Sequence, residues 1–186
     1  MRIIAGTFRG HRLHCKAGPS LRPTGERMRE SLFSALGGVV SGAVVCDLFS
    51  GSGALGFEAL SRGAEHVTLV ERKAHLVKKL ERTAAEWGVK NSCRVICADV
   101  ISWLNGAGCE SSFDLVFADP PFATDYAPRV FDWWLATAAE SAVLVLELPA
   151  GSGDPGAQAG VAPVKAAEFG ESSYRIYQQA GGEENR

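Results

Sequence analysis

Five short apolar runs punctuate the middle of this 186-residue chain: VVCDLF (44–49), HVTLVE (66–71), CRVICAD (93–99), FDLVFADP (113–120) and AVLVLELP (142–149). Amphipathic segments separate them, over 54–63, 73–87, 100–105 and 126–138. Strand, helix, strand, repeated, predicts an α/β domain built on a mostly parallel sheet with helices on both faces, because a parallel partner is reached only by a crossover. Gly63 and Gly88 stop the first two helices. Leu76, Leu80, Ala84 and Trp87 make one apolar stripe, and Val130, Phe131, Trp134, Leu135 and Ala138 make another; both read as core. Ahead of the sheet, TGERMRESLFSAL predicts a helix capped by Thr24, with Met28, Leu32, Ala35 and Leu36 facing inward. Behind it, AGSGDPGAQAGVAP (150–163) reads as a loop, and VKAAEF (164–169) with SYRIYQQ (173–179) as an antiparallel hairpin at the sheet's edge. The expected organisation is a basic N-terminal arm over 1–23, folded as a β-hairpin, one domain over 24–180, and a frayed tail over 181–186.

An apolar fraction of 46% and a charged fraction of 22% suit a single domain of this length. The opening MRIIAGTFRGHRLHCK lacks the apolar stretch of a leader, and no run approaches the roughly 20 apolar residues that span a bilayer. A cytoplasmic monomer with no membrane contact is expected, and no protein partner is indicated. Cys15, Cys46, Cys93, Cys97 and Cys109 show no C-x-x-C pair, so neither a disulfide framework nor a zinc site is predicted. Cys46, Cys93 and Cys97 read as small buried hydrophobes.

The net charge of −2 conceals an asymmetry. Residues 1–30 carry seven basic side chains (Arg2, Arg9, Arg12, Lys16, Arg22, Arg27, Arg29) against Glu26 and Glu30, giving +5; the rest carries 12 basic and 19 acidic residues, giving −7. A basic arm on an acidic body fits attraction to a polyanion, through phosphate neutralisation and counterion release. An arm that packs on its own domain explains the charges equally well.

The chemistry gathers at the strand ends. GSGALG (51–56) is G-x-G-x-x-G between a strand and a helix, and Glu71 lies 20 residues past Gly51, at the end of the next strand. Such glycines permit a tight turn and a close ligand, and such an acid can accept from two ribose hydroxyls; a dinucleotide would suit the same pattern. Asp99 ends the third strand, where it could also cap the helix from Val100, and Asp119-Pro120-Pro121-Phe122 ends the fourth. All of these therefore share the carboxyl rim where ligands of open parallel sheets bind. In DPPF the prolines remove N–H donors, so the turn presents the Asp119 carboxylate and the Pro120 carbonyl as acceptors beside the Phe122 ring. That set fits a planar amine on a flat ring, and accepting its hydrogens frees the nitrogen lone pair for an electrophile. Asp47, just before the glycines, disfavours a pyrophosphate and suits an ammonium. S-adenosylmethionine meets the pattern: ammonium toward Asp47, glycine turn (Gly51, Gly53, Gly56) close by, ribose on Glu71, adenine amine near Asp99, methyl facing Asp119. The chemistry calls for no metal.

The glycine loop, Glu71, Asp99 and DPPF together resemble the class I S-adenosylmethionine-dependent amino-methyltransferases. MRIIAGTFRGHRL, LRPTGERMRESLFSAL, DLFSGSGALGFEALSRGA and FGESSYRIYQ resemble, more narrowly, the RsmD family of 16S rRNA guanine-N2 methyltransferases, over Met1 to about Gln178. The resemblance implies a seven-stranded Rossmann-like methyltransferase fold, with 16S rRNA or the assembling small subunit as partner and guanine 966 as acceptor. It also implies that Arg22-Pro23-Thr24 lies near the cleft. The RNA-contacting candidates are Arg9, Arg12, Lys16, Arg22 and Phe122, and the catalytic candidates are Asp119, Pro120 and Phe122. Gly25, where the family usually has a polar residue, and the 150–163 loop depart from the family pattern. A DNA adenine or cytosine amino-methyltransferase, a protein glutamine methyltransferase, which usually has Asn where this chain has Asp119, and an inactive RNA-binding module with the same fold are the competing readings.

Overall fold

The computed structural model describes residues 1–14, 23–108, 112–122 and 124–180. Cys15, Lys16, Arg22, Cys109 and the tail over 181–186 lie outside these. Helix α1 (Pro23–Leu36) leads into β1 (Val44–Leu48), α2 (Ala54–Ser61), β2 (His66–Glu71), α3 (Ala74–Glu86) and β3 (Cys93–Cys97). Then come α4 (Val100–Leu104), β4 (Leu115–Ala118), α5 (Tyr126–Thr137), β5 (Val143–Pro149), β6 (Lys165–Phe169) and β7 (Ser172–Gln178). The sheet order is β3-β2-β1-β4-β5-β7-β6, parallel through its first five strands and antiparallel in the closing hairpin.

The two-residue period of the strands separates two cores. Val45, Leu115, Phe117, Val143 and Val145 pack under α1, α2 and α3 with Leu32, Phe57 and Leu80. Cys46, Val116, Ala118, Leu144 and Leu146 pack against α4 and α5 with Trp103, Val130 and Trp134. The chain builds outward from β1 in one direction, then restarts at β4 in the other. A crevice must open between those two strands' carboxyl ends, since the loops above them diverge.

Several expectations need correction. Thr24 lies inside the first turn of α1, which begins at Pro23; proline suits that turn because the first helical N–H groups have no partner to lose. Leu135 is 37% exposed, on the outer side of α5. Leu76 is only partly buried and looks into the crevice. Cys97 is exposed at the end of edge strand β3, while Cys46 and Cys93 are buried. The 150–163 segment contains a short 3₁₀ helix, Pro155–Ala159, started by the Asp154 side chain accepting from Gly156 N–H.

The arm does pack on its own domain. Ile3 N–H donates to the His11 carbonyl (3.0 Å), Gly10 N–H to Ile3 (3.0 Å) and Leu13 N–H to Met1 (3.1 Å), so 1–13 doubles back on itself with one antiparallel bridge, Arg2 to Arg12. Ile3 and Leu13 enter the first core. The fully buried Glu58 carboxylate of α2 accepts from the Ile4 and Ala5 N–H groups (2.8 and 3.1 Å) and from Arg62 Nε (2.8 Å), which neutralises a charge that burial would otherwise make costly. Arg29 is buried too, donating to the Arg2 carbonyl at 3.3 Å, so it is no part of an exposed basic surface. Arg9 and Arg12 are exposed.

Gly6 is the tightest point of this docking. Its φ is +81°, and a Cβ there would stand 1.7 Å from the Ser61 carbonyl oxygen. Gly6→Ala is expected to destabilise by about 1–3 kcal/mol, as overpacking does, lowering Tm by roughly 2–4 °C for each kcal/mol in a chain of this size. An unchanged melting curve would contradict this seating of the arm.

Candidate active site

The crevice between β1 and β4 holds about 370 Å³ and is lined by Gly51, Glu71, Asp99, Asp119, Phe122 and Tyr126, among others. Glu71 is almost fully buried, and both of its oxygens are fixed: Oε2 accepts from Gly51 N–H (3.0 Å) and Oε1 from Lys73 N–H (2.8 Å). A carboxylate so held keeps its remaining lone pairs aimed into the crevice without spending side-chain entropy on binding. Asp99 serves in both of its anticipated settings. It lines the crevice, and its Oδ1 caps α4 by accepting from Ser102 N–H (3.1 Å).

Asp47, expected beside the cofactor's ammonium, is not among the residues that line the crevice. Its carboxyl is buried and accepts from Gly56 N–H at 2.9 Å, closing the turn from β1 into α2. Burial first, then the Asp119 and Glu71 charges, push it up to about 7, against the opposing pull of the Gly56 bond. Gly53 and Gly56 are likewise absent from the crevice lining, and packing explains both. A Cβ at Gly53 would come within 2.7 Å of Leu80 and Phe57, and one at Gly56 within 2.3 Å of Leu69. Only Gly51 of the three glycines borders the ligand space.

Asp119-Pro120-Pro121-Phe122 leaves β4 over the crevice mouth. Phe122 is 51% exposed, so half of its apolar surface stays in contact with solvent at an unfavourable free energy. Asp119 opens to the crevice, yet the surrounding walls strip water from it and raise its carboxyl above the usual range. Thr124 Oγ donates to the Pro121 carbonyl at 2.7 Å and steadies the turn into α5.

The same Pro120–Phe122 stretch also walls a second cavity of about 390 Å³, whose other side is formed by Glu147, Ser152, Asp154 and Gln158. Strand β7 pins that far wall: Arg175 donates to the Ser152 and Gly153 carbonyls (2.6 and 2.8 Å), and Tyr177 O–H donates to Asp154 Oδ1 (2.5 Å). DPPF is thus a partition between two rooms. Among the described residues, no group of three or more His, Cys, Asp or Glu is placed to hold a metal, and no helix is long and apolar enough to cross a membrane.

Residues not anticipated at the crevice are Phe49, Lys73, Tyr126 and, in the second cavity, Glu147. Phe49 has φ +60°, a conformation a bulky residue rarely holds, and its ring stacks on Tyr126 at 5.7 Å. Its position at the end of VVCDLF was the available signal. Arg9 and Arg12 lie on the arm, whose Met1 sulfur accepts from Ser52 Oγ in the glycine turn (3.6 Å), so the arm begins beside the crevice. Lys16 and Arg22 are outside the described residues.

The family model described as conserved hypothetical protein 95 matches residues 1–178. Ribosomal RNA small subunit methyltransferase D of Escherichia coli K12 is 35% identical over 184 residues, covering 96% of this chain and 90% of that protein. A solved structure from Escherichia coli superposes with a TM-score of 0.86 at 33% identity, covering 97% of this chain and 98% of that one. The Thermus thermophilus 16S rRNA N2 G1207 methyltransferase, solved with AdoMet and guanosine, has a TM-score of 0.69 at 22% identity, covering 88% of this chain and 44% of that one. At that identity it speaks for the fold alone, which is the class I methyltransferase fold with its antiparallel end.

Proposed function

We propose a function from the premise that this chain belongs to the conserved hypothetical protein 95 family, that of the ribosomal RNA small subunit methyltransferases D: it methylates the exocyclic N2 amine of a guanine in small-subunit rRNA, at position 966, using S-adenosylmethionine. The observation that carries the reading is the partition, with Pro120-Pro121-Phe122 standing between a crevice of about 370 Å³, which Asp119 also lines, and a second cavity of about 390 Å³.

The residues of the first crevice fit the cofactor. Glu71, immobilised by Gly51 and Lys73, takes the ribose hydroxyls, and Asp99 lies on the adenine side. Gly56 N–H holds one oxygen of Asp47, which is not among the residues lining the crevice. Bound there, S-adenosylmethionine supplies an electrophilic methyl group on a sulfonium. Everything else is positioning. Phe122 stacks on the acceptor base, while Asp119 and the Pro120 carbonyl accept the two amine hydrogens and so turn the nitrogen lone pair toward the crevice. As positive charge develops on that nitrogen, the ionised Asp119 stabilises it, and the surplus proton leaves through the same carboxylate. Asp119 must be ionised to do this, so protonation at low pH removes the activity.

The exposed Arg9 and Arg12 of the arm contact RNA phosphates. Arg9→Ala combined with Arg12→Ala is expected to weaken RNA binding and flatten the slope of log affinity against log salt by about 0.7–0.9 per lost contact, with cofactor affinity unchanged. A salt titration returning the wild-type slope would leave the arm a purely structural element.

Incubation with labelled S-adenosylmethionine and either naked 16S rRNA, assembled small subunits or DNA tests the function. Label is expected in one of the RNA substrates at a single nucleotide. Label in DNA alone would overturn the reading.

A further inference from the structure

Strands β4 and β5 run parallel, with Phe117 opposite Val145 and Ala118 opposite Leu146. The next residue on each, Asp119 and Glu147, therefore stands beside the other at the carboxyl edge of the sheet. Both belong to the odd-numbered set whose inner members, Leu115, Phe117, Val143 and Val145, share one core, so the two carboxyls occupy one face. Glu147 is half-buried, borders the second cavity together with Pro120 and Phe122, and interrupts an otherwise apolar strand. Burial raises its carboxyl first, the neighbouring Asp119 charge raises it further, and a hydrogen bond from Ser172 opposes them. Two adjacent carboxyls stripped of water are unfavourable unless something that donates hydrogen bonds comes to meet them.

On the reading given above, we propose that Glu147 is the second reader of the acceptor base: Asp119 and Pro120 take the exocyclic amine, and Glu147 accepts the ring N–H next to it. Among amine-bearing bases, guanine alone places a ring N–H beside its amine. Adenine and cytosine place an unprotonated ring nitrogen there, whose lone pair would face the Glu147 carboxylate. The pair thus turns an amine-methylating site into one selective for guanine, without any contact to the rest of the RNA.

The probe is 2-aminopurine, which keeps the 2-amine but carries a lone pair, not a proton, on the adjacent ring nitrogen. Single-turnover methylation is measured on RNA bearing either guanine or 2-aminopurine at the methylated position, at one and the same near-neutral pH for every protein. Wild type is expected to prefer guanine by about tenfold or more, the range of one good base-edge contact. Glu147→Gln, whose amide can donate as well as accept, is expected to shrink that preference about tenfold, and Glu147→Ala to shrink it too. Calorimetric cofactor affinity equal to wild type shows that the variants are folded. Equal guanine-to-2-aminopurine ratios in wild type and both folded variants would overturn the inference while leaving the methyltransferase reading intact. No transfer to guanine RNA by wild type would overturn that reading and the inference with it.

Discussion

Asp119→Ala is expected to lower the single-turnover rate of methyl transfer by about 10²–10³, the usual loss when one preorganised group facing developing charge is removed. The fold should survive, because Asp119 lies past the end of β4 (Leu115–Ala118) and contributes to neither core. RNA affinity should also largely survive, since an interaction that strengthens in the transition state is read in the chemical step and not in binding. Phe122→Ala should behave differently. On the proposed reading its half-exposed ring stacks on the base, and losing a stacking partner worth about 1–3 kcal/mol weakens capture as well as rate. Asp119→Asn keeps an acceptor oxygen and loses the charge, so its rate should fall between wild type and alanine. A wild-type rate in Asp119→Ala would remove the electrostatic mechanism.

Glu71→Ala is expected to weaken S-adenosylmethionine binding about tenfold or more for each ribose hydrogen bond lost. Each hydrogen bond to a charged group contributes about 1.5–3 kcal/mol, and about 1.4 kcal/mol is a factor of ten. The variant also removes the acceptor of the Gly51 and Lys73 N–H bonds, so the glycine turn loosens at the same time. Glu71→Gln should lose less, because the amide oxygen can still accept one of them. Isothermal calorimetry on the purified variants decides it, and an unchanged affinity in Glu71→Ala would make the residue a turn anchor only.

The strand-helix alternation made the parallel sheet, its five parallel strands and the hairpin legible before any coordinates, because periodicity reports burial directly. The rim was legible for a related reason: Gly51, Glu71, Asp99 and Asp119 all terminate strands, and strand ends converge by topology. Asp47 was not, since an acid at a strand end can serve a ligand or a backbone N–H equally well. Its odd-numbered parity with Val45, which faces α2, was the clue that Gly56 would claim it. Glu147 was missed because a lone acid inside AVLVLELP carries no motif; only the β4–β5 register brings it beside Asp119. The second cavity depends on Arg175 and Tyr177 reaching back to the 150–159 segment across more than 20 residues of sequence, a tertiary contact with no local trace. The charge count on the arm misled in one particular, for Arg29 is a buried donor to Arg2 and not a phosphate contact.

Methylation of an exocyclic amine of guanine is the proposed activity of this site. It is tested most directly by digesting small-subunit rRNA to nucleosides after reaction with methyl-labelled S-adenosylmethionine and identifying the labelled species. A single labelled nucleoside, N2-methylguanosine, is expected from the wild-type protein, its rate of formation reduced by about 10²–10³ with Asp119→Ala. Label in a ribose methyl, a ring-carbon methyl or the amine of another base would contradict it.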